Sequence, residues 1–248
     1  MDPIASYMNA LRGVGILNHE DMEVSGENGF LRRYLPKAAG GVVVDAGAHH
    51  GVYTQAVLAV RPRARVTAIE AHPANFAILE RNLAGTGARL VHCALGDQDG
   101  GVTIHDYRDR DGSGHASLYQ GVIETIHGAP SVAHVVPARR LDDLAVELGL
   151  GRIDLLKIDT EGHELAVLRG AAKMIATGLI DAIQFEFNET NVISRVFFKD
   201  FWDLLSDRYN LYRLLPENAI AIEAYSAPFC EVFAFQNIVC VRKDFPPF

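Results

Sequence analysis

Val42-Val43-Val44-Asp45-Ala46-Gly47-Ala48-His49-His50-Gly51 carries the strongest fold signal in the chain. Three β-branched residues in succession predict a strand buried on both faces, as in the middle of a parallel sheet. An acid and a glycine turn end it, and residues 52–60 then carry a helical pattern. Strand, tight turn and helix open a βαβ unit, and in open α/β sheets ligands bind beyond the carboxyl ends of the strands.

The rhythm continues outward. Residues 65–70 predict a second strand ending at Glu70, and Pro73 opens a helix through residue 83, in the first-turn position that suits proline. Residues 89–93 predict a third strand. Farther on come a helix over 141–148, an apolar strand over 153–158 that ends at Asp159, a helix over 165–175 and a strand over 180–187. A helix over 197–205 and two strands over 211–215 and 232–241 complete the pattern. With no helix signal between them, those last two predict an antiparallel pair at one edge. Residues 106–131 interrupt the order as a polar loop, and a loop of that length in a compact domain is functional or disordered. A strand at 133–136 follows it. The expected architecture is an α/β, Rossmann-like fold: a mostly parallel seven-stranded sheet with an antiparallel edge strand and helices on both faces. Residues 1–30 read as an N-terminal cap, and 31–248 as one domain.

The 248 residues suffice for one large core, and the net charge of −8 is unsuited to phosphate backbones. With no basic stripe, nucleic acid is not an expected partner. No apolar run has the length of a membrane span, and the first residues lack a signal-peptide pattern. Cys93, Cys230 and Cys240 form no pair and lie in apolar surroundings, which suits a reducing compartment. The expectation is a cytoplasmic protein.

The turn itself suggests a cofactor. Gly47 lets the backbone approach a ligand, Gly51 permits close helix packing, and a carboxylate at Glu70 can accept from both hydroxyls of an adenosine ribose. The first glycine of a GxGxxG pyrophosphate cradle is missing, and Asp45 puts a negative charge there instead. The resulting DxGxxxG suits the sulfonium and ammonium end of S-adenosylmethionine. His49 and His50, adjacent in a turn, are expected to diverge, one toward the cofactor and the other toward solvent or the neighbouring loop. Joint metal ligation by the two is therefore not expected. After the third strand, Ala94 and Leu95 are placed to flank adenine.

Lys157-Ile158-Asp159-Thr160-Glu161-Gly162-His163-Glu164 is the second informative stretch. Asp159 and Glu161 converge on the same cleft, where they can orient an acceptor hydroxyl and take its proton, with Glu186 as a third acid. Asp159 is the first candidate for the base and Glu161 the second, with His163 and His115 as alternatives. Glu164 reads as an acid favoured by a helix N-terminus. A metal-free site is preferred to a divalent ion bridging Asp159 and Glu161.

Taken in order, the DxGxxxG turn, Glu70-Ala71-His72-Pro73-x-Asn75, Ala94-Leu95-Gly96-Asp97, Gly114-His115-Ala116-Ser117-Leu118 and Lys157-Ile-Asp-Thr-Glu-Gly-His-Glu164 resemble the FkbM family of methyltransferases over about residues 25–242. The resemblance implies S-adenosylmethionine-dependent O-methylation of a sugar, glycan or polyketide-type product. It implies that Asp45, Gly47, Gly51 and Glu70 hold the cofactor, with Ala48, His49, Ala71, His72, Asn75, Ala94 and Leu95 around it. Ser117 would close the site, and Asp159 and Glu161 would border the acceptor with His163 and Glu186 near them. The family often carries Gly-Ala-Asn in the cradle, where this chain has His49.

Two other readings stand beside this one. A nicotinamide-dependent oxidoreductase is disfavoured by the missing GxGxxG. A catalytically silent S-adenosylmethionine-binding scaffold is disfavoured by the intact acids. Several of Phe197, Phe198, Phe201 and Trp202 share a helical face, which is read as core packing or the seam of a homodimer in preference to a sugar-stacking platform.

Overall fold

A computed structural model describes residues 2–245. Its strands are β1 Val42–Ala46, β2 Arg65–Glu70, β3 Arg89–His92, β4 Ala94–Leu95, β5 Gly100–Tyr107, β6 Ser131–Arg139, β7 Ile153–Ile158, β8 Ile180–Phe187, β9 Tyr209–Leu214, β10 Ala219–Ile222 and β11 Gln236–Arg242. The main sheet has eight strands in the order β10-β9-β11-β8-β7-β1-β2-β3. From β8 to β3 the neighbours are parallel. The sheet is the Rossmann-like one expected, and the order reverses beside β1, where an open α/β sheet places its ligand.

The antiparallel pair at the end of the chain is present, since β11 pairs with β9. It is not at the edge, however. β11 is inserted between β8 and β9, antiparallel to both, and a short β10 that was not expected forms the border. The β9–β10 hairpin closes where the Leu215 N–H donates to the Asn218 carbonyl at 2.9 Å. Four residues of strand (Ala-Ile-Ala-Ile) between polar turns are too few to show a period.

Strand alternation distributes the core to both faces. Val42, Val44, Ala46, Leu156 and Ile158 pack on one side with helices Leu141–Leu148, Glu164–Gly170 and Phe198–Leu205. Val43 and Leu155 pack on the other with Phe30, Leu31, Tyr34, Tyr53 and Val57. Phe198 and Phe201 are fully buried, as core packing requires, while Phe197 is exposed. Helix Glu27–Tyr34 is part of this core, so the boundary drawn at residue 30 falls inside it; helix Pro3–Gly13 buries no residue. The helix expected over 165–175 is divided at Gly170-Ala171, where a side chain on Gly170 would overlap the carbonyl oxygen of Gly96. The three cysteines are buried and free. Among the described residues, no helix is long and apolar enough to cross a membrane.

A second sheet, β4-β6-β5, stands over the carboxyl ends of the main one. β5 was not expected: its glycine start and exposed polar positions hide it from a pattern search. It leads into the polar stretch expected to be an open loop. Instead, Ser117 and His105 exchange backbone hydrogen bonds of 2.7 and 3.0 Å, closing residues 106–116 into a strap. A π-helical turn, Val122–Ile126, follows.

Candidate active site

A cavity of about 270 Å³ opens where β1, β2, β4 and β7 end. Its floor is the glycine turn. The N–H groups of Gly47 and Ala48 both donate to the Ile69 carbonyl at 2.9 Å, tying the turn to β2. Gly47 has φ +80°, and a Cβ there would overlap the carbonyl oxygen of Asp159, so the close approach of the β1 and β7 loops demands glycine.

Glu70 stands beside that turn, 7% exposed. Its carboxylate accepts from the His49 N–H at 2.8 Å and from the His72 N–H at 2.7 Å, one on each oxygen. Burial nevertheless pushes its pKa up to about 7, the two N–H groups opposing. Each oxygen keeps a further lone pair, which fits a vicinal diol. His49, Ala71, His72, Asn75, Ala94 and Leu95 line the same cavity, with Ile69, Cys93 and Ile104 supplying an apolar wall.

Asp45 is placed otherwise than expected. It is fully buried behind the turn and does not line the cavity; its Oδ2 accepts from the Thr54 hydroxyl at 2.6 Å. Its cross-strand neighbour is Lys157, whose ammonium reaches Asp159 Oδ2 at 2.7 Å. Burial opposes charge on that lysine, but Asp159, Asp45 and Glu27 keep it protonated, with its pKa raised. Asp45 thus serves as a countercharge under the site rather than a ligand contact. The same depth removes Ala48, Gly51 and Ser117 from the wall, and half-buried Glu186 does not line it either. Ala48 packs near Leu79, and Gly51 lies against Leu79 and Leu83. Burial and the charges of Asp159, Glu161 and Glu27 hold Glu186 well above the usual carboxylate range. His49 and His50 do not diverge: their rings stack with centroids 3.7 Å apart, and burial pushes the His49 pKa down to about 4.

The strap forms the opposite wall through Ser113, Gly114, Ala116 and Leu118. Buried Asp106 organises it, accepting from the N–H groups of Tyr107, Gly112 and Ser113 at 2.7 Å each. Asn75 Nδ2 donates to the Ser113 carbonyl at 3.0 Å. Asp111 Oδ1 lies 2.9 Å from both His72 Nε2 and His134 Nε2. This trio has the spacing of a metal site. Yet His72 Nδ1 accepts from the Ala74 N–H at 3.2 Å as the cap of a helix, which puts the ring proton on Nε2. Nε2 then faces Asp111 as a donor, and the arrangement is a latch between strap and pocket.

Of the acids beyond β7, Asp159 and Glu161 line the cavity. Glu161 has φ +52°, and its carbonyl accepts from the Ser117 hydroxyl at 2.7 Å. Burial raises its pKa, with His115 opposing, and its Oε1 lies 3.8 Å from His115 Nδ1. His163 is off the wall, its Nδ1 3.2 Å from the Tyr119 hydroxyl, and burial lowers its pKa. Glu164 Oε1 accepts from the N–H groups of Thr160 and Gly162, the helix-start role expected of it.

The Methyltransferase FkbM domain matches residues 45–214, which run from the acid of the glycine turn to the end of β9. The chain belongs to the FkbM methyltransferase family. Methyltransferase sdnD of Sordaria araneosa is 31% identical over 155 residues, covering 52% of this chain and 59% of that protein. The 2-O-methyltransferase NoeI of Sinorhizobium fredii (strain NBRC 101917 / NGR234) is 31% identical over 148 residues, covering 54% and 58%. Methyltransferase 1 of Beauveria bassiana (strain ARSEF 2860) is 29% identical over 142 residues, covering 52% and 57%. The matches therefore span less than two thirds of each relative's own length.

S-adenosylmethionine is the cofactor of this family, and the donor set fits it. Glu70 offers two carboxylate oxygens to a ribose, Gly47 leaves room over the turn, and His49 Nε2 is buried without a partner among the described residues. Lys157 and the strap residues Ser113, Gly114, Ala116 and Leu118 were not singled out as site residues from sequence. Lys157 was visible only as the first letter of its motif. The strap residues had only the Gly-His-Ala-Ser-Leu run as a signal.

Proposed function

We propose that this FkbM-family chain transfers a methyl group from S-adenosylmethionine to a hydroxyl of a sugar, glycan or polyketide-type acceptor. One observation carries the reading: the diol-binding carboxylate Glu70 and the acids Asp159 and Glu161 share one cavity across the glycine turn. The cofactor, when bound, supplies a methyl carbon already activated by a sulfonium. Glu70 fixes the ribose, Ala94 and Leu95 flank the adenine, and the strap keeps water from the far side. Asp159 and Glu161 border the acceptor and align its oxygen for in-line displacement. One oxygen of Asp159 is committed to Lys157, so the proton-accepting role moves to Glu161 and its neighbourhood. The relative NoeI is a 2-O-methyltransferase, which supports the choice of oxygen as acceptor.

Calorimetry with S-adenosylmethionine and S-adenosylhomocysteine between pH 6 and 8 tests the cofactor. Ionised Glu70 is the form that accepts from two hydroxyls, and its pKa lies at about 7. Affinity should therefore be flat above that pH and fall below it, toward about tenfold per unit. Glu70→Gln should weaken binding and remove the slope. Radiolabelled methyl transfer to a panel of glycosides and polyols then tests the reaction. Absence of binding sinks the proposal, and tight binding without transfer favours the silent scaffold.

A further inference from the structure

We propose that His115, paired with the Glu161 carboxylate, is the group that takes the acceptor proton, so that seating the strap completes the catalytic site. This rests on the O-methyltransferase reading above. The other candidates are already engaged. Asp159 is bound by Lys157, His163 by Tyr119, and His49 is stacked on His50 with burial holding it neutral. Glu186 faces the like charges of Asp159, Glu161 and Glu27, and among the described residues it has no histidine beside it to share a proton.

His115 differs from these. It lies just off the cavity wall, between two residues that line it, Gly114 and Ala116, and its side chain is 46% exposed. Nδ1 faces Glu161, so Nε2 is the ring nitrogen left for an acceptor proton. The Glu161 carboxylate 3.8 Å away raises its pKa above the usual histidine value, with burial and Arg110 opposing and Asp106 adding to the rise. In contrast, burial lowers the pKa of His49, His127 and His163. His127 and Tyr107 stand beside the His115 ring at centroid distances of 4.4 and 6.1 Å. Glu189 adds negative charge from the far side, toward Glu161 and His127.

The backbone gives a second, independent reason. Glu161 holds a left-handed conformation that a non-glycine residue rarely adopts, and such outliers gather at functional sites. Ser117, two residues from His115, donates to the carbonyl of this same residue. One short segment therefore delivers the imidazole and fixes the carboxylate beside it. In the step, the acceptor O–H proton passes to His115 Nε2 as the oxygen forms its bond to the methyl carbon. The electrons of the broken carbon–sulfur bond return to sulfur. The imidazolium is held by Glu161 until it gives the proton to solvent, the arrangement of a base oriented by a carboxylate.

The pair can be observed without any acceptor. Two-dimensional NMR of the imidazole Cε1–Hε1 groups, with His115 assigned through His115→Gln, should show that residue titrating above the ordinary histidine range. In Glu161→Gln the midpoint should fall, while S-adenosylhomocysteine affinity by calorimetry stays unchanged in both variants. With a glycoside that the wild type methylates, His115→Gln should lower kcat by about 10²-fold or more. In Glu161→Gln the acid limb of kcat/KM should move to lower pH. A His115 midpoint unmoved by Glu161→Gln overturns the pair, and wild-type kcat in His115→Gln overturns the base. A wild type that binds S-adenosylhomocysteine but methylates no glycoside or polyol overturns the functional reading, and this inference falls with it.

Discussion

His49 shows how one residue is constrained from two directions. Its N–H must point at Glu70, which sets the backbone at φ +48°, and its ring is confined beside His50 with the pKa down to about 4. The grip on Glu70 is a backbone contact, so the side chain is replaceable by one that tolerates left-handed geometry. Asparagine does so better than histidine, and the family often has asparagine here. His49→Asn should keep S-adenosylhomocysteine affinity and hold or slightly raise the unfolding midpoint. His49→Val, β-branched in the same geometry, should lose about 1–2 kcal/mol and weaken binding. Thermal unfolding and calorimetry on the two variants check this. At this scale the sequence showed Glu70 and Gly47 clearly, because strand end and turn spacing define them. It showed Asp45 misleadingly, since an acid at a strand end carries no mark of whether it faces the cavity or the helix behind it.

Among the elements, the strap differs most from its sequence pattern. Residues 106–116 are polar and glycine-dotted, the marks of a mobile loop, yet buried Asp106 accepts three backbone N–H groups and Asp111 joins two histidines. The partners of Asp106 lie within the strap, but those of Asp111, His134 on β6 and His72 in the turn after β2, lie far along the chain, so no local window contains the whole reason for the order. Asp111 is partly exposed, and its removal should release the strap without unfolding the core. Asp111→Ala should speed amide exchange across residues 107–116 and raise the dissociation rate of S-adenosylhomocysteine, with exchange in β1 and β7 unchanged. Hydrogen-exchange mass spectrometry and stopped-flow displacement read both. Equal exchange in the variant and the wild type would leave the latch without a role.

Across the whole molecule, a line of charge runs through the middle of the sheet. Lys157 stands between Asp45 on β1 and Gln184 on β8, with Glu27 bonded to Gln184 from the N-terminal side at 2.9 Å. Removing the ammonium leaves carboxylates buried without their countercharge, so Lys157→Met should cost about 3–5 kcal/mol at pH 8. The pKa values of Asp45, Glu27 and Glu186 are already raised by burial, and loss of Lys157 raises them further. As pH falls these acids take up protons, so the deficit should narrow toward pH 5.5. Urea unfolding at both values measures it, and a deficit independent of pH would assign the loss to packing instead. The parallel βαβ core, the glycine turn, the acids at the strand ends and the order of the motifs are legible in the residues alone. These follow from local period and from spacing along one chain. The entry of β11 between β8 and β9, the place of Asp45 beneath the site and the closing of the strap over it emerge with the packed fold. Each depends on which distant segments share a face, and burial and hydrogen bonding between them are set by the packed molecule.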